Sequence, residues 1–231
     1  NAASGIGVGV VKAGQAFVSL GTSGVLFAAN DGYRPNPATA VHTFCHALPN
    51  TWHQMGVILS AASCLNWLAA TLGADEATLL AELGDGVSRP SDILFLPYLS
   101  GERTPHNDAV VRGAFIGLSH QTDRRALVQS VMEGVAFALK DCLNALRAAG
   151  TEIKSADVIG GGARAPAWLS ILANVLDLPL WQVVGAEISG ALGAARLGRL
   201  AATGEDPLAV CQPPRRAAMF SPTPALRDGY E

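Results

Sequence analysis

The chain has 231 residues, of which 49% are hydrophobic and only 15% are charged, so it can bury a sizeable core and is not an intrinsically disordered segment. Its formal net charge is -3 and it contains no run of Lys or Arg, which argues against a nucleic-acid-binding protein. Its four cysteines form no CxxC motif, which disfavours a structural zinc or redox site and favours reduced, mostly buried thiols in a cytoplasmic protein.

The chain begins with Asn1 and runs directly into a segment rich in Gly and Ala, as in a sequence that begins within a fold. No basic segment precedes an apolar one there, so no secretory signal peptide is predicted. We therefore expect residues 1–231 to form one domain, and to be the C-terminal part of a longer protein.

The first third of the chain predicts a strand-rich region followed by a helix. Apolar runs bounded by turn residues predict four strands, over residues 15–20, 25–29, 41–47 and 52–58. Gly21-Thr22-Ser23-Gly24 separates the first two runs, which is the pattern of a β-hairpin. Leucines spaced by three and four residues predict a helix over residues 60–72.

Residues 54–74 carry no charge and are numerous enough to cross a bilayer. Polar side chains interrupt this segment, however, and no Lys or Arg flanks it closely, unlike a typical transmembrane helix. A buried strand followed by a core helix is therefore predicted, and no contact with a membrane is expected.

The second half of the chain alternates between strands and helices. Residues 123–149 predict the longest helix, with Gly150 where a glycine would end it. Short strands are predicted over residues 93–96, 157–159 and 180–184, and helices over residues 165–176 and 188–202. The tail from Pro213 carries four of the 13 prolines and is predicted to be irregular. This order indicates an α/β domain with a mixed sheet.

Two glycine-rich turns have the composition of anion-binding sites. Gly21-Thr22-Ser23-Gly24 offers backbone N–H groups and two hydroxyls, although alone it is better interpreted as a simple hairpin turn. Residues 160–164, Gly-Gly-Gly-Ala-Arg, join a strand to a helix, and such a turn places a helix N-terminus against a phosphate. Close helix–strand packing explains this second turn equally well, and neither turn is a Walker A loop.

The two turns together resemble the second domain of the actin-like, ribonuclease H-like ATPases, and five further motifs narrow the resemblance. These motifs are residues 42–49, 59–67, 99–108 (LSGERTPHND), 113–134 (GAFIGL followed by SVMEG) and 191–195 (ALGAA). In this order they resemble the FGGY carbohydrate kinases, and the xylulokinases among them above all. One departure is Ala126, where that family's pattern has a polar or acidic residue.

The resemblance implies an α/β fold of the actin-like ATPase (ribonuclease H-like) type, with a mixed β-sheet flanked by helices, and ATP and Mg²⁺ as cofactors. The ATP-binding residues that it implies are Gly21, Thr22, Ser23, Ala62, Asn66, Gly160, Gly161, Gly162, Ala163 and Arg164. The hairpin turn would contact the β- and γ-phosphates, and the second turn the α-phosphate and ribose, with Arg164 near the adenine. The glycines there would let the nucleotide approach the backbone. No metal ligand within the chain is implied.

The resemblance also concerns the first residues. In FGGY kinases the catalytic base is an Asp immediately before an Asn-Ala-Ala segment, and this chain begins Asn1-Ala2-Ala3. The base is therefore expected immediately before Asn1, with no catalytic residue in this chain and with Asn1 beside the sugar. Such a kinase transfers phosphate from ATP to D-xylulose, giving D-xylulose 5-phosphate. Its own N-terminal domain supplies most sugar contacts, and a homodimer is left open.

Several alternatives remain open at this point. Another specificity within the family (ribulose, gluconate or glycerol) and a non-catalytic nucleotide-binding domain both fit the chain, whereas the 99–108 motif disfavours an actin-like polymer or chaperone. The Glu102-Arg103 pair has no assigned role, and a surface loop held by its own ion pair fits as well as an active-site role. His42, His46 and His53 are close enough in sequence to suggest a metal site, but ordinary half-buried histidines are favoured.

Overall fold

A seven-stranded mixed sheet forms the centre of the computed structural model, which describes residues 1–230. The strands in chain order are β1 (Ala16–Leu20), β2 (Gly24–Asn30), β3 (His42–Cys45), β4 (Trp52–Ile58), β5 (Leu94–Leu96), β6 (Ala114–Ile116), β7 (Ala156–Ile159), β8 (Leu180–Val183) and β9 (Arg216–Phe220). Strands β5 and β6 form a separate two-stranded ribbon, and the others lie side by side in the order β3-β4-β2-β1-β7-β8-β9. The predicted mixed sheet is confirmed.

Helices cover this sheet. They are α1 (Ala2–Gly7), α2 (Ala62–Thr71), α3 (Glu76–Leu83), α4 (Arg124–Ala148), α5 (Pro166–Leu176), α6 (Ser189–Thr203), α7 (Pro207–Val210) and α8 (Pro224–Tyr230). None of those formed by the described residues is both long and apolar enough to cross a membrane. The uncharged segment 54–74 is instead the strand and helix that the sequence predicted.

The central strand β1 joins the two halves of the chain. It pairs antiparallel with β2 across the glycine-bounded turn, with Leu20 opposite Gly24, and parallel with β7, with Ser19 opposite Ile159. Every residue of β2 is buried, which is typical of a strand covered on both faces. Because β1 and β7 are parallel, the turns that follow them emerge at the same edge of the sheet.

Helix α4, the longest helix, begins and ends as its sequence predicted. The Asp123 carboxylate accepts a hydrogen bond from Ala126 N at 2.8 Å, and Gly150 follows the helix with a φ of +80°. A Cβ at Gly56 on β4 would lie 2.5 Å from Cys142 Cβ, so the glycine lets α4 pack directly on the sheet. Three of the four cysteines, Cys64, Cys142 and Cys211, are buried as expected.

The prediction of an irregular tail was wrong. Residues 216–220 form the edge strand β9, which pairs antiparallel with β8, and residues 224–230 form α8. The prolines lie outside the strand: Pro213 and Pro214 precede it, and Pro224 begins the helix, where a missing N–H costs nothing. Helices α1, α3 and α7 and strand β6 were not predicted either.

Glycines let helices α1 and α6 pack backbone against backbone. A Cβ at Gly193 would lie 1.7 Å from Ala3 O and 3.0 Å from Gly7 N. Arg196, on α6, donates from Nη1 to Ile6 O and Gly7 O, each at 2.9 Å. A cation that satisfies the last carbonyls of a helix also complements its dipole. The short helix α1 is therefore fixed in place by α6.

The histidines near β3 and β4 are more deeply buried than expected. His46 and His53 are 6% and 4% exposed, and His53 stacks on Phe27 with ring centroids 4.6 Å apart. Burial, with a smaller contribution from the nearby His46, lowers the pKa of His53 to about 4. His53 therefore stays neutral in the folded protein at pH values where an unfolded chain would protonate it.

This burial predicts a loss of stability in mild acid. As the pH falls from about 6.5 to about 4, protonation of His53 in the unfolded chain should lower the free energy of unfolding by up to about 3 kcal/mol. Urea unfolding at several pH values should show this slope, and His53→Phe should flatten it. His120 is exposed, so His120→Gln serves as the control; an equal slope in His53→Phe and in the unsubstituted protein would contradict the assignment.

Candidate functional site

A cleft of about 510 Å³ opens between the two glycine turns and helices α2 and α3. Seven of the ten predicted ATP-binding residues line it: Gly21, Thr22, Ala62, Asn66, Gly161, Gly162 and Arg164. Of the other three, Ser23 is exposed on the hairpin turn, and Gly160 and Ala163 belong to the second turn without lining the cleft. The fold thus brings the two turns, which are far apart in sequence, to one site.

Gly160 allows the two turns to touch. Its φ is +90°, in the left-handed region that favours glycine. A Cβ at Gly160 would lie 2.6 Å from Leu20 O and 3.1 Å from Gly21 N, which is closer than such contacts allow. The second turn can therefore lie against the hairpin turn only because residue 160 has no side chain.

Hydrogen bonds join the start of helix α2 to the hairpin turn. Ala61 N donates to Thr22 O at 2.9 Å, Ala62 N donates to Gly21 O at 2.8 Å, and Ser63 Oγ donates to Thr22 O at 2.7 Å. The residue before α2 is Ala61, whose side chain cannot accept a hydrogen bond, so carbonyls of the hairpin turn take the capping role. The position of the hairpin turn therefore depends on where β4 ends and α2 begins.

The second turn differs in detail from the simple strand-to-helix turn that the sequence suggested. Residues 161–164 form one turn of 3₁₀-helix, and α5 begins only at Pro166. Gly161 is exposed, and a Cβ there would contact only the Arg164 guanidinium, at 3.7 Å. At Gly162 a Cβ would instead lie 2.8 Å from Leu20 Cβ and 3.3 Å from the Trp168 ring. Gly161 leaves room for a ligand, whereas Gly162 is needed for packing.

Apolar side chains form the wall of the cleft that the sequence analysis missed. Leu65 on α2, Leu80 on α3 and Trp168 on α5 line it beside the second turn. Trp168 is fixed by a hydrogen bond from Nε1 to Met132 O at 3.1 Å. Helix α3 was not predicted, although Asp75, whose carboxylate accepts from Thr78 N at 2.8 Å, is an ordinary helix-capping signal.

The cleft is lined by few charged side chains. Arg164 and Glu76 are the charged residues among those that line it. The hairpin turn offers backbone N–H groups and the Thr22 hydroxyl but no carboxylate. Within residues 1–230, no three His, Cys, Asp or Glu side chains are placed to hold a metal. The backbone N–H groups and the Thr22 hydroxyl of the hairpin turn are suitable donors for an anion.

Two other residues lie away from the cleft lining. Asn1 is exposed at the start of α1, where its carbonyl accepts from Gly5 N at 2.9 Å.

The interpretation of residues 102 and 103 as part of a surface loop held by a Glu102–Arg103 ion pair was wrong. Glu102 is 2% exposed, and its Oε1 accepts from the backbone N–H groups of Leu59 (3.0 Å) and Arg103 (2.6 Å).

Comparison with known proteins shows the family. The sequence profile of the FGGY family of carbohydrate kinases, C-terminal domain, matches residues 16–202. The chain is 47% identical over 211 residues to the xylulose kinase of Escherichia coli strain K12, an alignment that covers 90% of this chain and 43% of that protein. The chain thus spans less than half the length of such relatives.

Solved structures of sugar kinases also superpose on this chain. The crystal structure of a xyloylose kinase from Brucella ovis is 56% identical and superposes with a TM-score of 0.96, over 100% of this chain and 48% of that one. The xylulose kinase of Rhodospirillum rubrum is 26% identical with a TM-score of 0.86, over 99% and 47% of the two chains. The predicted actin-like, ribonuclease H-like fold is confirmed. The chain belongs to the FGGY family of carbohydrate kinases.

Proposed function

We propose that this chain is the ATP-binding, C-terminal domain of a kinase that phosphorylates D-xylulose to D-xylulose 5-phosphate. The observation that carries the proposal is the cleft between two glycine turns, open at Gly161 and Gly21, in a chain with extensive identity to a xylulose kinase. The sugar-binding N-terminal domain would precede residue 1. A cytoplasmic location and the oligomeric state stay predictions.

In this proposal the two ends of the cleft bind different parts of ATP. Gly21, Thr22 and Ser23 would meet the β- and γ-phosphates with backbone N–H groups and hydroxyls, which are suitable donors for an anion. Gly160 to Ala163 would lie along the α-phosphate and ribose, and Arg164 near the adenine. The half-buried Leu80 of α3 would contact the face of the base, with Ala62 and Asn66 facing it from α2.

Phosphoryl transfer depends chiefly on positioning and on charge stabilisation. Mg²⁺ would neutralise charge on the β- and γ-phosphates when bound. The residues of this chain orient the phosphates, and α1 positions the sugar side. We propose that the catalytic Asp stands immediately before Asn1, so that the tight packing of α1 on α6 fixes where this base lies. Asn1 would then be beside the sugar.

Two alternatives remain. Another sugar specificity is compatible with this chain, because most sugar contacts would lie in the N-terminal domain. A non-catalytic nucleotide-binding domain is the alternative from a different class of function. The residue before Asn1 distinguishes the second alternative, since a residue other than Asp or Glu there would remove the proposed base.

A substrate panel tests the proposal. On the full-length protein, ADP release should depend on sugar, with kcat/KM for D-xylulose at least 10-fold above that for D-ribulose, D-gluconate or glycerol. A coupled ADP-release assay measures this directly. A higher kcat/KM for another of these substrates would show that the kinase has another sugar specificity of the same family. Nucleotide binding without sugar-dependent ADP release would favour the non-catalytic alternative.

A further inference from the structure

The loop that contains Glu102 takes the place of a strand along the end of β4. Strand β3 pairs only with the first half of β4, ending at His42 opposite Met55. Beyond it, Val57 N donates to Thr104 Oγ1 at 3.0 Å, and Leu59 N donates to Glu102 Oε1 at 3.0 Å. Two side chains thus satisfy the edge amides that a neighbouring strand would otherwise satisfy.

Glu102 is an unusual residue to accept a hydrogen bond from a backbone amide at the edge of a sheet. It is 2% exposed, and its second oxygen, Oε2, is buried without a hydrogen-bond partner among the described residues. Burial raises the pKa of this carboxyl group, although the amides of Arg103 and Leu59 partly offset the effect. Burying a carboxyl group lowers the stability of the fold, so an apolar side chain would fill this space at a smaller cost in free energy. Its position points to a role beyond filling space.

The hydrogen bond from Leu59 leads to the phosphate end of the cleft. Leu59 lies between the last residue of β4 and Ala61, whose N–H group donates to Thr22 O. The next amide, Ala62 N, donates to Gly21 O. The carboxylate of Glu102 therefore fixes the backbone just before the two amides that hold the hairpin turn.

We propose that Glu102 is a positioning residue for phosphoryl transfer, which sets the hairpin turn against the distal phosphates by holding the Leu59 amide. This proposal rests on the proposed kinase function. Glu102 acts through the backbone of residues 59–62, and it neither contacts ATP nor transfers a proton.

Kinetics of the full-length kinase test the role. Glu102→Ala should raise the KM for ATP at least 10-fold while the KM for D-xylulose stays within twofold, because only the phosphate end loses its support. Glu102→Gln retains an acceptor for the Leu59 amide and should keep the KM for ATP within threefold. Glu102→Asp withdraws the carboxylate by one methylene, so its KM for ATP should rise as in Glu102→Ala. If Glu102→Ala does not fold, Glu102→Asp takes its place in the experiment.

Thr104→Val is the matched control, because Thr104 supports the same edge of β4 two residues farther from the hairpin turn. It should lower the melting temperature but leave the KM for ATP within twofold. If Thr104→Val and Glu102→Ala raise that KM equally, or if Glu102→Gln raises it as much as Glu102→Ala, the positioning role is wrong.

Amide hydrogen exchange provides a readout that does not need kinase activity. In Glu102→Ala, and not in Glu102→Gln or Thr104→Val, exchange of the Ala61 and Ala62 amides should accelerate at least 10-fold. If the unsubstituted protein fails to phosphorylate any sugar, the proposed function fails while this measurement still decides the structural part. Unchanged exchange in Glu102→Ala would overturn the inference.

Discussion

Replacing the Asp that we place immediately before Asn1 by Ala should lower the kcat of the full-length kinase for D-xylulose by about 10²–10⁴-fold, the usual contribution of a general base. The KM for ATP should stay within twofold, because the base would contact the sugar and not the nucleotide. Steady-state ADP release at saturating D-xylulose measures both quantities. The packing of α1 on α6 gives this expectation its structural basis.

Glu76 is the matched control for that experiment. Its carboxylate is the one that lines the cleft within the described part of the chain, so it is the obvious alternative base. Because it lies at the start of α3, on the wall of the cleft assigned to the nucleotide, Glu76→Ala should leave kcat within threefold. A loss of kcat in Glu76→Ala, with kcat retained in the Asp variant, would transfer the role of base to α3.

The 231-residue chain alone should show no measurable phosphorylation of D-xylulose. We place the base and most sugar contacts in residues before Asn1, and the orientation of a sugar hydroxyl that they would provide can contribute about 7–11 kcal/mol. The assay is ADP release by the purified chain with and without D-xylulose. Release that depends on D-xylulose would show that a catalytic residue lies within residues 1–231.

Two neighbouring glycines should differ greatly in how far the same substitution lowers stability. Gly160→Ala places a methyl group 2.6 Å from Leu20 O at a φ of +90°, so we expect a loss of about 3 kcal/mol or more in the free energy of unfolding. This corresponds to a fall of roughly 6–12 °C in melting temperature for a domain of this size. Gly161→Ala would place a methyl group only in ordinary contact with the Arg164 guanidinium, at 3.7 Å, so it should change the melting temperature by about 1 °C or less.

A larger substitution at Gly161 separates the effect on stability from the effect on ATP binding. Gly161→Val should retain the melting temperature but raise the KM for ATP at least 10-fold, because the side chain projects into the cleft. The KM for D-xylulose should be unchanged. Differential scanning fluorimetry and steady-state kinetics on the full-length kinase measure these effects. An unchanged KM for ATP in Gly161→Val would show that the nucleotide does not lie against the second turn.

The sequence predicted those parts of the fold that local patterns determine. Helix α4 has a capping Asp123, a continuous apolar stripe and a terminal Gly150, and all three features are local. The β1–β2 hairpin was recognised for the same reason. The tail was missed because β9 is stabilised by pairing with β8, so its own composition, next to several prolines, gave little indication of a strand.

The site shows where local patterns fail. Gly161 and Gly162 are both glycines that line the cleft, and only the packing of Leu20 and Trp168 around Gly162 distinguishes the glycine needed for packing from the one with open space beside it. For Glu102 the sequence left a surface loop and an active-site role equally open. Its partner, the Leu59 amide, is 43 residues away in sequence, so its burial could not be inferred from the motif.

The packing of α1 against α6 has a consequence for how the protein folds during synthesis. The hydrogen bond from Arg196 to Ile6 joins residues that are 190 positions apart. At about 5–20 residues per second, a ribosome would need roughly 10–40 s to make the second partner after the first. Strand β1 likewise cannot pair with β7 until β7 has been synthesised. One edge of β1, at the centre of the sheet, therefore stays unpaired for much of that time. Such non-local pairing slows folding and leaves strand edges unpaired, and unpaired edges are prone to aggregate until their partners have been made.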